Sequence, residues 1–108
     1  MVLGISGSPR KNGNTDFLVK KALEGAEREG AAVEFIGMAG MDVRGCLACP
    51  KCGEGACVID DDLQQVYPRM EAADAIIIGS PVYFGTMTSQ AKALVDRSYY
   101  LLKSGKKL

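Results

Sequence analysis

The sequence predicts a chain of the α/β class in the order βαβαβα, whose three parallel strands lie in the order 2-1-3 as the first half of a doubly wound sheet. Three observations predict it. Short apolar runs at 2–5, 32–36 and 75–79 alternate with amphipathic stretches between and after them. The first run opens into a long loop of Gly, Ser and Asn, and the third is followed by a second irregular segment at 80–88. Strand order 2-1-3 sets a switch point between strands one and three, so both segments should converge on one crevice outside the carboxyl ends of the strands.

Val2, Leu3 and Ile5 make the first strand, and Gly4, Gly7, Ser8, Pro9, Asn12, Gly13 and Asn14 impose the turn-rich loop that follows. Asn14 or Thr15 is the expected helix cap, which aims the first free N–H groups and the positive end of the helix dipole into the loop. Ser6, Ser8, Arg10 and Thr15 add donors there. An anion of the phosphate type fits such a place. The plain alternative is an unliganded βα connection, but those usually run about 2–6 residues, and this one is longer. No Gly-Lys-Ser/Thr closes the loop, and Gly4, Gly7 and Gly13 are not spaced as a dinucleotide fingerprint, so a mononucleotide is expected.

Residues 15–30 read as a helix with Leu18, Val19, Ala22, Leu23 and Ala26 on its inner face, ended by Gly30. Val33, Phe35 and Ile36 in 32–36 form the second strand, joined to the first by a right-handed crossover. Residues 38–59 carry no helical period. Asp60, Asp61 and Asp62 open a second helix, with Leu63, Val66, Tyr67, Met70 and Ala73 inward. Pro68 interrupts it: either the helix kinks, the favoured reading, or 60–67 is a separate turn and the helix begins at Pro68. AIIIG at 75–79 is apolar throughout, as in a strand buried on both faces. Ser89 is the expected cap of a third helix with Ala91, Leu94, Val95, Ser98, Leu101 and Leu102 inward, closed by Gly105 before the basic tail Lys106, Lys107.

Composition narrows the function classes. With 108 residues, 13 basic and 13 acidic side chains, the chain is one soluble domain at most, without the charge excess of a nucleic-acid or anionic-membrane binder. No apolar run approaches a membrane span and the opening lacks a signal-peptide pattern, so a cytoplasmic protein is expected. The absence of histidine removes the usual general base and leaves cysteine or carboxylate as metal ligands. Redox or binding chemistry is thereby favoured over hydrolysis. The apolar third strand would be an edge of a three-stranded sheet, which points to an incomplete domain.

Three stretches, GISGSPRKNGNT, CLACPKCGEGAC and GSPVYFGTMTSQAKALVDR, together resemble the iron-sulfur flavoproteins of the flavodoxin-like, NAD(P)H-dependent FMN reductase superfamily. The resemblance spans the whole chain but matches the amino-terminal portion of a usual member. It implies a flavodoxin-like three-layer α/β/α fold, here a single domain over 1–108, incomplete at the carboxyl end, with a cysteine-rich loop at 42–59. It further implies that Ser6, Ser8, Arg10, Asn12, Asn14 and Thr15 bind the FMN phosphate and ribityl chain, and that Pro81, Val82, Tyr83, Phe84 and Gly85 lie against the isoalloxazine ring. The chemistry of the residues agrees, since a dianion wants a helix start, hydroxyls and an Arg, while a flat ring wants an apolar or aromatic wall. The plain reading of Tyr83 and Phe84 is core packing at a strand end.

Cys46, Cys49, Cys52 and Cys57 follow C-x2-C-x2-C-x4-C, a compact set of four thiolates suited to one [4Fe-4S] cluster. Zinc remains open, although structural zinc usually draws on two separated CxxC pairs. Free or redox thiols also remain open, and disulfides are disfavoured in an untargeted intracellular chain. The reading that results is an FMN-dependent electron-transfer oxidoreductase passing electrons between a [4Fe-4S] cluster and FMN, with no side chain acting as acid or base. Its rivals are an NAD(P)H-dependent FMN or quinone reductase without a cluster, and a non-enzymatic zinc-stabilised nucleotide-binding module. The resemblance also implies a homo-oligomer and, as partner, a small electron carrier such as ferredoxin or NAD(P)H.

Overall fold

The computed structural model describes residues 1–105; the basic tail Lys106, Lys107 lies outside the described residues. Three strands, β1 (Val2–Ser6), β2 (Val33–Gly37) and β3 (Ala75–Gly79), form one parallel sheet in the order β2-β1-β3. Val2 pairs with Val33 on one side and Ala75 on the other, and Ser6 with Gly37 and Gly79, so all three strands end level. That common end is where the connecting loops must emerge.

Helix α1 (Asn14–Arg28) crosses from β1 to β2 and packs on one face of the sheet. Its buried stripe is Asp16, Val19 and Leu23, with Ala26 half-buried. Leu18 and Ala22, expected inside, are exposed: a stripe through 16, 19, 23 and 26 leaves them on the outer flank. The cap is also different from the expectation. Gly13 takes the N-cap position with no side-chain bond, and Asn14 and Thr15 are already helical. Close approach explains the small residues beneath this helix, since a Cβ on Gly4 would lie 2.7 Å from Leu23 Cδ1 and one on Gly79 2.5 Å from Val19 Cγ2.

The other face carries the main core, built from Leu3, Ile5, Ile36, Met38, Leu63, Val66, Tyr67, Met70, Leu94, Tyr100 and Leu101. After β2 the chain runs irregularly through the cysteines, with a short 3₁₀ turn at Pro50–Glu54, to a second 3₁₀ turn at Asp62–Gln65 and then α2 (Tyr67–Ala72). Pro68 therefore does not kink a long helix. It occupies the first turn of α2, where its missing N–H costs nothing. Asp61 caps the preceding 3₁₀ turn by accepting from the Leu63 N–H.

The third helical stretch is split into α3 (Ser89–Arg97) and α4 (Tyr99–Lys103) at Ser98. Ser98 bonds its hydroxyl back to the Leu94 carbonyl at 2.7 Å, a local competition that bends helices. Val95 and Leu102 are exposed, against expectation, and Arg97 is buried instead, on the face that carries Ala91, Leu94 and Leu101. Thr88, not Ser89, caps α3. β3 is half-covered rather than buried on both faces: Ile78 is 45% exposed. Its free edge borders an apolar groove of about 940 Å³ whose walls include Ile76, Ile78, Val95, Tyr99 and Leu102.

Candidate functional site

Two loops rise from the level ends of β1 and β3 and meet at Gly7. The Gly7 N–H donates to the Gly79 carbonyl at 2.8 Å, and the Thr88 hydroxyl donates to the Gly7 carbonyl at 2.6 Å. A Cβ on Gly7 would come within 2.6 Å of Ala91 Cβ, so the loop is pressed onto the start of α3. Gly79 in turn sits against Thr15 of α1. The segments 6–15 and 79–91 thus form one continuous rim, as the crevice expectation requires.

Within the first loop the residues divide into two groups. Ser6 is fully buried and its hydroxyl donates to the Asp16 carboxylate, whose other oxygen accepts the Asn12 N–H at 2.8 Å. Asp16 therefore draws the loop back onto the helix start. Ser8 is also buried and accepts the Arg10 N–H at 3.1 Å. Arg10, Asn12 and Asn14 are exposed, and Thr15 is half-buried. Asn12 adopts φ 57, a left-handed conformation that Asn tolerates better than other side chains. The helix N–H groups of Asn14, Thr15 and Asp16 precede the first helical bond, from the Phe17 N–H to the Gly13 carbonyl. Ser6 and Asp16 hold the loop in shape, while the Ser8 hydroxyl, the exposed side chains and the helix start offer donors to an anion.

The second loop ends in a tight hairpin. Tyr83 and Thr86 pair antiparallel through two backbone bonds of 2.8 and 3.2 Å, around Phe84 (φ 49) and Gly85 (φ 84). Positive φ at both central positions is the geometry of a type I′ turn, natural for Gly and costly for Phe. Phe84 is fully exposed at the tip, and Val82, Tyr83 and Gly85 are exposed beside it, with Pro81 half-buried. Tyr83 and Phe84 are thus not core residues at a strand end. Ser80 fixes the base of the loop by accepting the Thr88 N–H at 3.0 Å.

The cysteines lie elsewhere, over the junction of α3 and α4. Cys46, Cys49, Cys52 and Cys57 all line one narrow crevice together with Ile59, Arg97, Tyr99 and Tyr100. Among the described residues no group of three Cys, His, Asp or Glu is disposed to hold a single metal ion. A tetrahedral zinc would need all four sulfurs about 2.3 Å from one point; four thiol side chains around one crevice are also the donor set that a [4Fe-4S] cluster requires. Two donors already address the sulfurs, the Ala48 N–H to Cys46 Sγ at 3.3 Å and Arg97 Nη2 to Cys57 Sγ at 3.6 Å.

Arg97 is the residue that sequence reasoning missed. It is 2% exposed, forms an ion pair with Asp61, and donates to the carbonyls of Arg44 at 3.0 Å and Ile59 at 3.4 Å. Arg44 and Ile59 bracket the cysteines, so one guanidinium closes the base of the cysteine loop. Its plane also lies over the Tyr67 ring at 5.9 Å, and Tyr67 packs edge-on against Tyr100. Burial alone would raise the Asp61 carboxyl pKa; bonds from Arg97, Arg44 and Leu63 outweigh it and leave it lowered. The available signal was position: Arg97 falls one turn after Leu94, on the face that also carries Ser98 and Leu101.

The family model of NADPH-dependent FMN reductases matches residues 1–108. The chain is 49% identical over 98 residues to an iron-sulfur flavoprotein of Methanocaldococcus jannaschii, covering 90% of this chain and 51% of that protein. It is 44% identical over 101 residues to an iron-sulfur flavoprotein of Methanosarcina thermophila, covering 93% of this chain and 53% of that one. The chain thus spans about half the length of the curated relatives it matches. Among solved structures, a flavone reductase superposes with a TM-score of 0.72 at 24% identity, over 98% of this chain and 36% of the other. The Trp repressor binding protein from Bacillus subtilis gives 0.63 at 24% identity, over 96% and 54%. At those identities the two structures establish the fold: a flavodoxin-like α/β/α sheet.

Proposed function

The chain belongs to the NADPH-dependent FMN reductase family, and from that premise we propose that it serves as an FMN-dependent electron-transfer oxidoreductase of the iron-sulfur flavoprotein kind. The observation that carries the reading is the junction at Gly7, which binds the phosphate-type loop and the exposed aromatic loop into one rim at the carboxyl ends of β1 and β3. Ligands of doubly wound sheets bind at that place. No helix among the described residues is long and apolar enough to cross a membrane.

Ser8, Arg10, Asn12, Asn14 and Thr15, with the first N–H groups of α1, would take the FMN phosphate and ribityl chain. Ser6 contributes through Asp16, by holding the loop in shape. Pro81, Val82, Tyr83, Phe84 and Gly85 would wall the ring. Cys46, Cys49, Cys52 and Cys57 would ligate a [4Fe-4S] cluster as thiolates. When bound, FMN and the cluster supply the electron chemistry that the side chains themselves lack. The protein's part is to fix both groups and to offer backbone and guanidinium donors to the sulfurs.

Because the cysteine crevice lies at the α3–α4 junction rather than on the Gly7 rim, the reading favours a homo-oligomer in which the cluster of one copy approaches the FMN of another. The electron donor would be a small carrier such as ferredoxin, or NAD(P)H, in the reducing cytoplasm. Flavin reduction by each donor in the native chain and in C49A/C52A tests this. The proposal expects the double variant to lose carrier-driven reduction at least tenfold while still binding FMN. Equal rates in both chains with NAD(P)H, and none with the carrier, would identify the cluster-free reductase instead.

A further inference from the structure

We infer that Arg97 is a positioning residue for the cluster, raising its reduction potential through Cys57, with Asp61 as a partial counterweight. The inference rests on the cluster reading above. Its basis is the disposition of one buried cation. Arg97 and Asp61 both have fully buried side chains and form an ion pair, while Arg97 Nη2 donates to Cys57 Sγ at 3.6 Å and the side chain lines the crevice shared by all four cysteines.

A purely structural staple between Arg44 and Ile59 does not call for a charge there. Replacing a buried ion pair by apolar residues of similar volume is often neutral or stabilising, and this pair leaves the Arg97 Nε buried without a partner. The charge has a consequence only for something that changes charge nearby. Adding one electron to a thiolate-ligated cluster adds one negative charge, with no bond made or broken in the protein. A buried cation and an N–H···S contact beside a ligand both stabilise that state, and hydrogen bonds to the sulfurs, net charge and burial are the levers that set cluster potentials. Asp61, which takes Arg97 Nη1 while Cys57 takes Nη2, opposes the effect.

This arrangement predicts shifts of opposite sign from two variants that both destroy the same ion pair. In D61N the uncompensated Arg97 raises the potential; in D61N/R97Q both charges are gone and the potential falls below that of the native chain. The measurement is an anaerobic dithionite titration with redox mediators on the reconstituted full chain, following the reduced cluster by electron paramagnetic resonance. Each variant should change the reduced-to-oxidised ratio at a fixed ambient potential by roughly tenfold, about 59 mV for a one-electron couple. Shifts in the same direction, or none, would overturn the role of Arg97 and reduce it to a staple. If D61N/R97Q does not fold, D61N/R97M, with an apolar side chain of similar length, takes its place: a potential below that of the native chain supports the inference and one at or above it overturns the role of Arg97. A native chain that takes up no iron and sulfide would instead overturn the cluster reading itself, and the inference with it.

Discussion

Thr88 donates its hydroxyl to the Gly7 carbonyl at 2.6 Å while accepting the Ala91 N–H at 3.1 Å, and the two residues stand 81 positions apart in the chain. One fully buried hydroxyl therefore caps α3 and locks the first loop to the second. The two bonds explain why a threonine and not the next residue, Ser89, starts the helix: the oxygen must face the sheet end, where Gly7 waits for it. They also make the rim of the candidate site dependent on a side chain that need not touch the ligand.

Thr88→Val keeps the shape and removes both bonds, leaving the Gly7 carbonyl and the Ala91 N–H without that partner. Loss of a cap and of a buried hydrogen bond costs about 1–3 kcal/mol. The urea midpoint of T88V should fall accordingly, and its FMN affinity, read by quenching of flavin fluorescence, should drop with it. Thr88→Ser, which retains the oxygen, should recover most of both.

Phe84 holds φ 49 at the tip of an exposed turn, where a bulky side chain costs about 1 kcal/mol relative to residues at ease in that region. Its neighbour Gly85 shares the positive φ at no such cost. Phe84→Asn should raise the melting temperature of the ligand-free chain and weaken FMN binding. A variant that is both less stable and unchanged in affinity would show that the aromatic ring at the tip packs on protein rather than on flavin.

The lowered pKa of Asp61 sets a pH dependence with a definite sign. A carboxylate whose folded pKa lies below its ordinary value of 3.8 contributes stability above that value and loses it as pH falls through the folded pKa. Denaturant unfolding of the native chain should therefore show its advantage over D61N intact near neutrality and shrinking as the pH drops below about 4. An advantage that stays constant into acid would mean that the Arg97 pair does not hold Asp61 ionised.

Much of this was legible in the residues themselves. The alternation of apolar runs and amphipathic stretches gave β1, β2 and β3 nearly to the residue, because each strand is a short apolar run bounded by Gly or polar residues. The loop after Ile5 announced its polar, turn-rich character. Burial was harder to read. Leu18, Ala22, Val95 and Leu102 are apolar and sit near inner-face positions, yet each is exposed, since which side of a helical stripe is covered is settled by tertiary packing. The polar members of the interior were invisible for the converse reason. Asp16 and Arg97 carried no signal of burial in the sequence, and Asp61 read only as one of three aspartates opening a helix; their tertiary partners, Ser6, Asn12, Cys57 and Arg44, make them interior.

The central claim is that the cysteine crevice and the Gly7 rim each hold a redox group on the same chain. Metal, sulfide and flavin analysis of protein purified without oxygen tests it most directly. The account predicts iron and acid-labile sulfide in equal amounts, about four of each per chain for one [4Fe-4S] cluster, with FMN bound alongside. Zinc at about one per chain without sulfide, as a four-thiolate structural site would give, together with no retained flavin, would contradict it.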